Sequence, residues 1–364
     1  EKTVLFDTVD WSISRQFIEN IEHILNGREL DYLVINHMEP DHSGWIQDFK
    51  DINDKFTIIC TDKAAKLVSS FYGETIDVKV VEEGDKLDLG AGKVLSFHPA
   101  PNVHWPDTML TYEESSKVLF SCDMYGAFGK MEGHYFDDEL TEEEAELFED
   151  EGIRYYSNVM NTFRHAINKA IEKTEELDVE IIAPGHGPIY RENPEKIIDS
   201  YRRYNKYSEG AGKNEVCILW GSMYGMTEIA VNHVQEILES KGIKTNMLKM
   251  PYESDSEVIA KVARSAGIVI AAPTYEYNLF PPVAAALDEI GRKKITNKVA
   301  FRFGSYGWSG GAEKELKEIV ERRRMQWDFI ESVEFEGAPN KEDLDKVEEG
   351  LVQLIEKMQD KVID

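Results

Sequence analysis

Short apolar runs that stop at polar loops set the rhythm of the first two hundred residues. Thr3–Phe6, Tyr32–Ile35, Lys93–Phe97, Lys117–Ser121 and Glu180–Ala183 have strand length, and most lead into a loop bearing a His or an Asp. Apolar residues at helical spacing predict helices near Ser14–Leu25, Lys63–Phe71, Thr141–Glu151 and Tyr155–Glu176. Beyond Lys213 the rhythm becomes regular. Strands at Val216–Trp220, Lys244–Lys249, Gly267–Ala272, Lys298–Phe303 and Trp327–Phe335 alternate with helices at Glu228–Lys241, Ser256–Ala266, Val283–Gly291, Ala312–Arg323 and Lys341–Lys361. That alternation predicts a doubly wound parallel sheet. Between the two patterns Ser208–Gly212 reads as a linker, which divides the chain into domains 1–208 and 213–364.

The loop after Tyr32–Ile35 places His37, Glu39, Asp41 and His42 within six positions, a ligand density that points to a metal site. Imidazoles alone suit zinc, copper and iron; the added carboxylates favour harder, redox-active ions. His98 and His104-Trp105-Pro106-Asp107, Cys122-Asp123 and Pro184-Gly185-His186-Gly187 follow other strands, so distant ligands can converge on one sheet edge. Either His98 or His104 can bind. His23, His134, His165 and His233 have no second ligand at useful spacing and read as ordinary residues. The acidic run Asp137–Glu151 reads as a solvated helix face with Thr141 as its cap.

In the second domain Gly221-Ser222-Met223-Tyr224-Gly225-Met226-Thr227 joins a strand to a helix and offers hydroxyls and N–H groups for a phosphate. It matches neither G-x-G-x-x-G nor a P-loop, which disfavours dinucleotides and nucleoside triphosphates. Pro273-Thr274-Tyr275-Glu276-Tyr277-Asn278 and Gly304-Ser305-Tyr306-Gly307-Trp308-Ser309-Gly310-Gly311 follow two further strands and carry aromatics able to sandwich a flat ring.

Composition narrows the partners. The net charge is −28, and −22 of it lies before residue 213, which opposes nucleic acid and anionic membrane. No apolar run nears the about eighteen residues of a membrane span. Cys60, Cys122 and Cys217 are widely spaced, so neither a disulfide framework nor a cysteine zinc site is expected, and a reducing, cytoplasmic setting fits.

Taken together, H-x-E-x-D-H at 37–42, His104-Trp105-Pro106-Asp107, Asp123, Gly185-His186-Gly187-Pro188 and the Ser222–Thr227 and Gly304–Gly310 loops resemble the flavodiiron proteins (A-type flavoproteins) over essentially the whole chain. The resemblance implies a metallo-β-lactamase-like αββα domain followed by a flavodoxin-like one, two irons and FMN. It selects His104 over His98. One iron would be held by His37, Glu39 and His104, the other by Asp41, His42 and His186, with Asp123 bridging; the residue at the His42 position is not a ligand in every member. Glu39 stands where zinc hydrolases of this fold usually carry a second His. Tyr155 or Tyr156 would donate protons. FMN would be bound by Ser222, Met223, Tyr224, Gly225, Met226 and Thr227, by Pro273, Thr274, Tyr275, Glu276, Tyr277 and Asn278, and by Ser305, Tyr306, Gly307, Trp308 and Gly311.

The expected activity is reduction of O2 to water or of NO to N2O. Two irons and FMN together store the four electrons that O2 requires, while two NO need two. The rival readings are a zinc hydrolase of the same fold with an accessory flavodoxin-like domain, and a non-catalytic flavin electron carrier. With no rubredoxin-like C-x-x-C module before the end at Asp364, a separate donor is expected, rubredoxin or reduced coenzyme F420. The chain starts at Glu1 without Met, so the strands that precede this point in the family are expected to be missing. A head-to-tail homodimer, or a dimer of such dimers, would bring the FMN of one subunit beside the irons of another.

Overall fold

Leu33 and Val34 point to opposite faces of one short strand, and that alternation builds the first half of the protein. The computed structural model describes residues 2–46, 55–73 and 78–363. β1 (Val4–Phe6), β2 (Tyr32–Val34), β3 (Thr57–Cys60) and β4 (Val78–Val80) form a parallel sheet in that order. Leu33 and Ile58 pack outward with Phe17, Ala64 and Val68 of helices Ser14–Leu25 and Asp62–Tyr72. Val34 and Ile59 face inward, onto Leu87, Leu95, Phe97 and Met109. Those residues belong to a second sheet, β5 (Lys86–Gly90), β6 (Lys93–Pro99), β7 (Met109–Glu113), β8 (Val118–Cys122) and β9 (Ile181–Pro184), antiparallel except between β8 and β9. Two sheets share one apolar layer, with helices outside: the αββα arrangement expected.

In the second half β10 (Lys213–Trp220), β11 (Lys244–Lys249), β12 (Ser265–Ala271), β15 (Val299–Tyr306) and β16 (Asp328–Glu336) form one parallel sheet ordered β11-β10-β12-β15-β16. Cys217 and Leu219 enter the core on one face, Val216, Ile218 and Trp220 on the other, which is why these strands read as unbroken apolar runs. A two-stranded hairpin, β13 (Thr274–Tyr275) and β14 (Asn278–Leu279), stands at the end of β12.

Three local expectations are corrected. The single helix over Tyr155–Glu176 is instead broken: Glu142–Tyr155 widens into a π-turn at Tyr156–Met160, tightens at Asn161–Phe163, and resumes as Arg164–Glu175. Within the π-turn Asn158 Nδ2 donates to both Arg154 O and Ser256 O. A helix at Pro194–Ser208 had no counterpart in the expected pattern. Ser208–Gly212 is packed backbone rather than a free linker. Thr296 N donates to Ser208 O, Lys298 Nζ to Ala211 O, and a Cβ on Gly212 would lie 2.4 Å from Ala266 N. The two compact units are Glu1–Gly152 with Phe163–Asp199, and Ile153–Thr162 with Ser200–Asp364. Thr141 does cap the acidic helix: its hydroxyl accepts from Glu144 N while Glu144 Oε2 accepts from Thr141 N. Among the described residues no helix is long and apolar enough to cross a membrane.

Candidate functional site

Each expected metal ligand sits just past the end of a strand. His37 and Glu39 follow β2; Pro40 then starts a one-turn helix, Pro40–Ser43, that swings Asp41 and His42 back toward them. His104 lies between β6 and β7, Asp123 directly follows β8, and His186 follows β9. The seven side chains converge as two donor groups that share one carboxylate.

In the first group His104 Nε2 lies 3.0 Å from Glu39 Oε2 and 3.0 Å from Asp123 Oδ2, and His37 Nε2 lies 3.3 and 3.5 Å from the same oxygens. In the second, Asp123 Oδ1 is 2.9 Å from His42 Nε2 and 3.2 Å from His186 Nε2, while Asp41 Oδ2 is 3.3 Å from His186 Nε2 and 3.7 Å from His42 Nε2. Bonds of about 2.0–2.2 Å to one ion would leave neighbouring donors about 2.8–3.6 Å apart, close to the spread seen in both groups.

The donor chemistry fits a cation better than hydrogen bonding alone. His42 Nε2 and His186 Nε2 face each other at 3.3 Å, and two ring N–H groups cannot point at one another; two lone pairs aimed at a shared ion can. Asp41 Oδ1 is buried with no hydrogen-bond partner among the described residues. Without an ion the carboxylates draw protons onto the rings. Burial opposes charge on His104 and His186, yet Asp123, helped by Glu39 and Asp41 respectively, carries both up to about 9. His104 and then His37 hold Glu39 down at about 2. Burial disfavours the Asp123 anion, but His104, His186 and His42 keep its carboxyl well below the usual carboxylate range.

Two further carboxylates fix the rings from behind. Asp107 Oδ2 lies 3.2 Å from His37 Nδ1 and also accepts Met38 N. Asp7 Oδ2 lies 3.5 Å from His42 Nδ1, its other oxygen accepting Asn36 N, and Cys122 Sγ lies 3.7 Å from the same ring nitrogen. A proton held on Nδ1 leaves Nε2 as the ligand atom. A Cβ at Gly185 would strike His42 Cε1 at 2.8 Å, so that glycine makes room for the ring. Sequence reasoning quoted Asp107 without a role and passed over Asp7, although Asp7 carried the same signal as the ligands: an acid immediately after a strand. His98 turns elsewhere, to Glu83 and Ser96. Tyr155 and Tyr156 are buried and group with the second unit, where the Tyr156 ring packs on Tyr201 and Tyr204.

At the far end of the second unit's sheet the three expected loops are bolted together. Thr227 Oγ1 meets Ser305 Oγ at 3.0 Å and accepts Ser305 N, joining the first loop to the third. A Cβ on Gly311 would lie 2.2 Å from Tyr277 O, which joins the third to the second. Ser222 Oγ accepts Gly225 N, and Gly225, with φ 87°, starts helix Met226–Ser240 without any side-chain cap. That helix end is open to an anion. Tyr224, Tyr277 and Trp308, one on each loop, are 83%, 62% and 79% exposed, large flat surfaces left uncovered. Phosphate cradle and ring surfaces therefore fit a flavin mononucleotide.

Comparison with known proteins places both halves of the chain. Residues 1–187 match the family model for the ODP family β-lactamase, and residues 218–350 match that for flavodoxin. An anaerobic nitric oxide reductase flavorubredoxin of Vibrio vulnificus is 36% identical over 86% of this chain, which spans 63% of that relative's length. A nitric oxide reductase of Moorella thermoacetica is 30% identical, with 95% of this chain and 86% of the relative covered. Among solved structures, rubredoxin oxygen:oxidoreductase from the anaerobe Desulfovibrio gigas superposes with a TM-score of 0.90 at 26% identity, covering 99% of this chain and 89% of that one. With a β-lactamase-like unit that gathers two carboxylate-bridged donor groups, followed in sequence by a flavodoxin-like unit, this chain belongs to the flavodiiron protein family.

Proposed function

We propose that the protein reduces O2 to water, NO to N2O, or both, at a diiron centre in domain 1–208, with electrons passed through FMN in domain 213–364. The observation that carries this is Asp123, whose two oxygens serve different donor groups. His37, Glu39 and His104 would hold one iron, Asp41, His42 and His186 the other. Bound there, two irons and FMN supply the electrons and the open positions at which both atoms of O2, or two NO, meet metal together.

The chain's own residues do the rest. Asp123 stays ionised inside the protein and so fixes the spacing of the two sites. Asp107 and Asp7 set the ring tautomers of His37 and His42, which keeps Nε2 of each aimed inward. Glu39 places an anionic oxygen where imidazole would suit zinc, which supports iron. Tyr155 or Tyr156, on the family resemblance alone, is the proposed proton donor. Ser222 to Thr227 hold the phosphate; Pro273 to Asn278, with Ser305, Tyr306, Gly307, Trp308 and Gly311, hold the ring.

A separate electron donor, rubredoxin or reduced coenzyme F420, would feed the flavin; the names of the Desulfovibrio and Vibrio relatives support a rubredoxin. The working unit is a head-to-tail homodimer, alone or paired, in a reducing cytoplasm that suits three free, buried cysteines. Metal analysis of protein purified without oxygen tests the reading. About two irons per chain with FMN, and consumption of O2 or NO with a reduced donor, is expected; two zincs and no turnover would sink it.

A further inference from the structure

We infer that Arg302 and Glu334 form a buried ion pair that positions the second and third flavin loops and sets the flavin's reduction potential. The inference rests on the flavin reading above. Arg302 stands in the middle of β15, between Phe301 and Phe303 and in register with Ile270 of β12, at a position with 0% exposure. Neighbouring positions facing the same side of the sheet are apolar: Ala300, Ile270 and Ala272 all enter the core there. A sheet that needed only packing would carry a small apolar residue here, because burying a guanidinium is costly unless it is paired and its donors are used.

Its partners show what the charge is for. Nη1 donates to Glu334 Oε1 at 2.6 Å, and Nη2 to Ala272 O at 3.3 Å, the last carbonyl before the loop Pro273–Asn278. Glu334 reaches in from β16, and its second oxygen lies 2.4 Å from where a Cβ on Gly310 would be, so it abuts the loop Gly304–Gly311. The β15–β16 ladder slips in register between Phe301 and Phe303, around Arg302 itself. Such irregularities re-aim a side chain, here at the cost of a ladder pairing. One fork thus ties the root of the second loop, which carries Tyr277, to the body of the third, which carries Trp308, through Glu334.

A charge pair in this place also acts on the flavin electrically. Reduction adds negative charge to the ring, and a buried charge is poorly screened, so fixed charges beneath the loops shift the reduced form relative to the oxidised one. Arg302 favours the reduced flavin and Glu334 opposes it. Glu334 is the more exposed partner, its side chain 26% accessible, so its removal disturbs packing least.

The experiment is a spectroelectrochemical titration of FMN bound to the full chain, with FMN affinity measured in parallel by quenching of flavin fluorescence. Glu334→Gln should raise the flavin potential, since it leaves the cation uncompensated. Arg302→Met should lower it and loosen FMN at least about tenfold, while Arg302→Lys, which keeps the charge but not the fork, should hold the potential near that of the parent chain and loosen FMN. If Arg302→Met does not fold, Glu334→Gln decides alone. Potentials that stay unmoved, or that move the same way in Glu334→Gln and Arg302→Met, overturn the inference. Failure of the parent chain to bind FMN would instead overturn the flavin reading itself.

Discussion

Asp123 Oδ1 lies 2.9 Å from His42 Nε2, across 81 residues of sequence, and its other oxygen faces His37 and His104. Asp123→Ala should therefore weaken both irons while leaving FMN bound. Iron per chain and the flavin spectrum of the purified variant check this. Full iron content with retained O2 or NO turnover would show that the carboxylate does not bridge.

Among the described residues, Asp7 faces the ring of His42 alone of the seven candidate ligands. In Asp7→Asn the amide keeps an acceptor for Asn36 N but no longer offers His42 Nδ1 a charged one. Affinity for the iron held by Asp41, His42 and His186 should fall about 10–100-fold. Iron content would then drop toward one per chain, in contrast to the loss of both in Asp123→Ala. Equal depletion of the two sites would contradict the pairing of Asp7 with His42.

Acid should expose the turn that carries β8 toward the site. Burial disfavours the Glu113 anion, but Ser115 Oγ at 2.7 Å and Ser116 N at 2.7 Å hold its carboxyl down at about 2. A carboxyl depressed on folding contributes stability that is complete above pH 4.5 and fades as pH falls toward 2. The contribution is of order 3 kcal/mol. Urea unfolding of the parent chain and of Glu113→Gln should differ by that order at pH 7 and converge only as pH falls below about 2. A gap that persists in acid would point to lost packing instead.

Arg292-Lys293-Lys294 and Arg322-Arg323-Arg324 look like landing sites for an acidic donor, and the structure gives them other work. Arg322 and Arg323 both bond Asp288, Arg292 pairs with Asp288 and Glu289, and Lys293 Nζ donates to Asn158 O. Both clusters also follow helix C-termini, where cations complement the dipole. Neutralising either cluster should change donor-dependent electron transfer only slightly. A loss of about tenfold or more at fixed ionic strength would reverse this view.

Electron transfer across a head-to-tail dimer predicts complementation. A chain with His37→Ala and Asp123→Ala keeps its flavin loops; one with Thr227→Asp and Trp308→Ala keeps its ligands. Mixed dimers should recover part of the turnover that neither variant shows alone. Continued silence, with mixed dimers formed and each intact cofactor bound, would mean that transfer runs within one chain.

Much of this was legible in the residues. The ligand motif 37–42, the strand-end positions of His104, Asp123 and His186, and the five-fold alternation of the second half are local patterns, and local patterns survive in sequence because period and spacing are set by backbone geometry. Those motifs put forward the candidate ligands and the three flavin loops, the family resemblance chose His104 over His98 and implied the set of seven, and the structure brings the seven side chains together. What the tertiary structure alone decided depends on approach between distant segments. Asp123 presents a different oxygen to each donor group only because β8 ends between the β2 loop and the β9 loop. Asp7 meets His42 because β1 lies beside β2, a pairing that no spacing records. Asn158 in the break at Tyr156–Met160 reaches Ser256, and Lys298 and Thr296 bond the packed turn at Ser208–Gly212, contacts invisible to propensity. Nothing in the sequence pattern singled out Arg302, one charge within an apolar strand; its role depends on Glu334, thirty-two residues on, and on the carbonyl of Ala272.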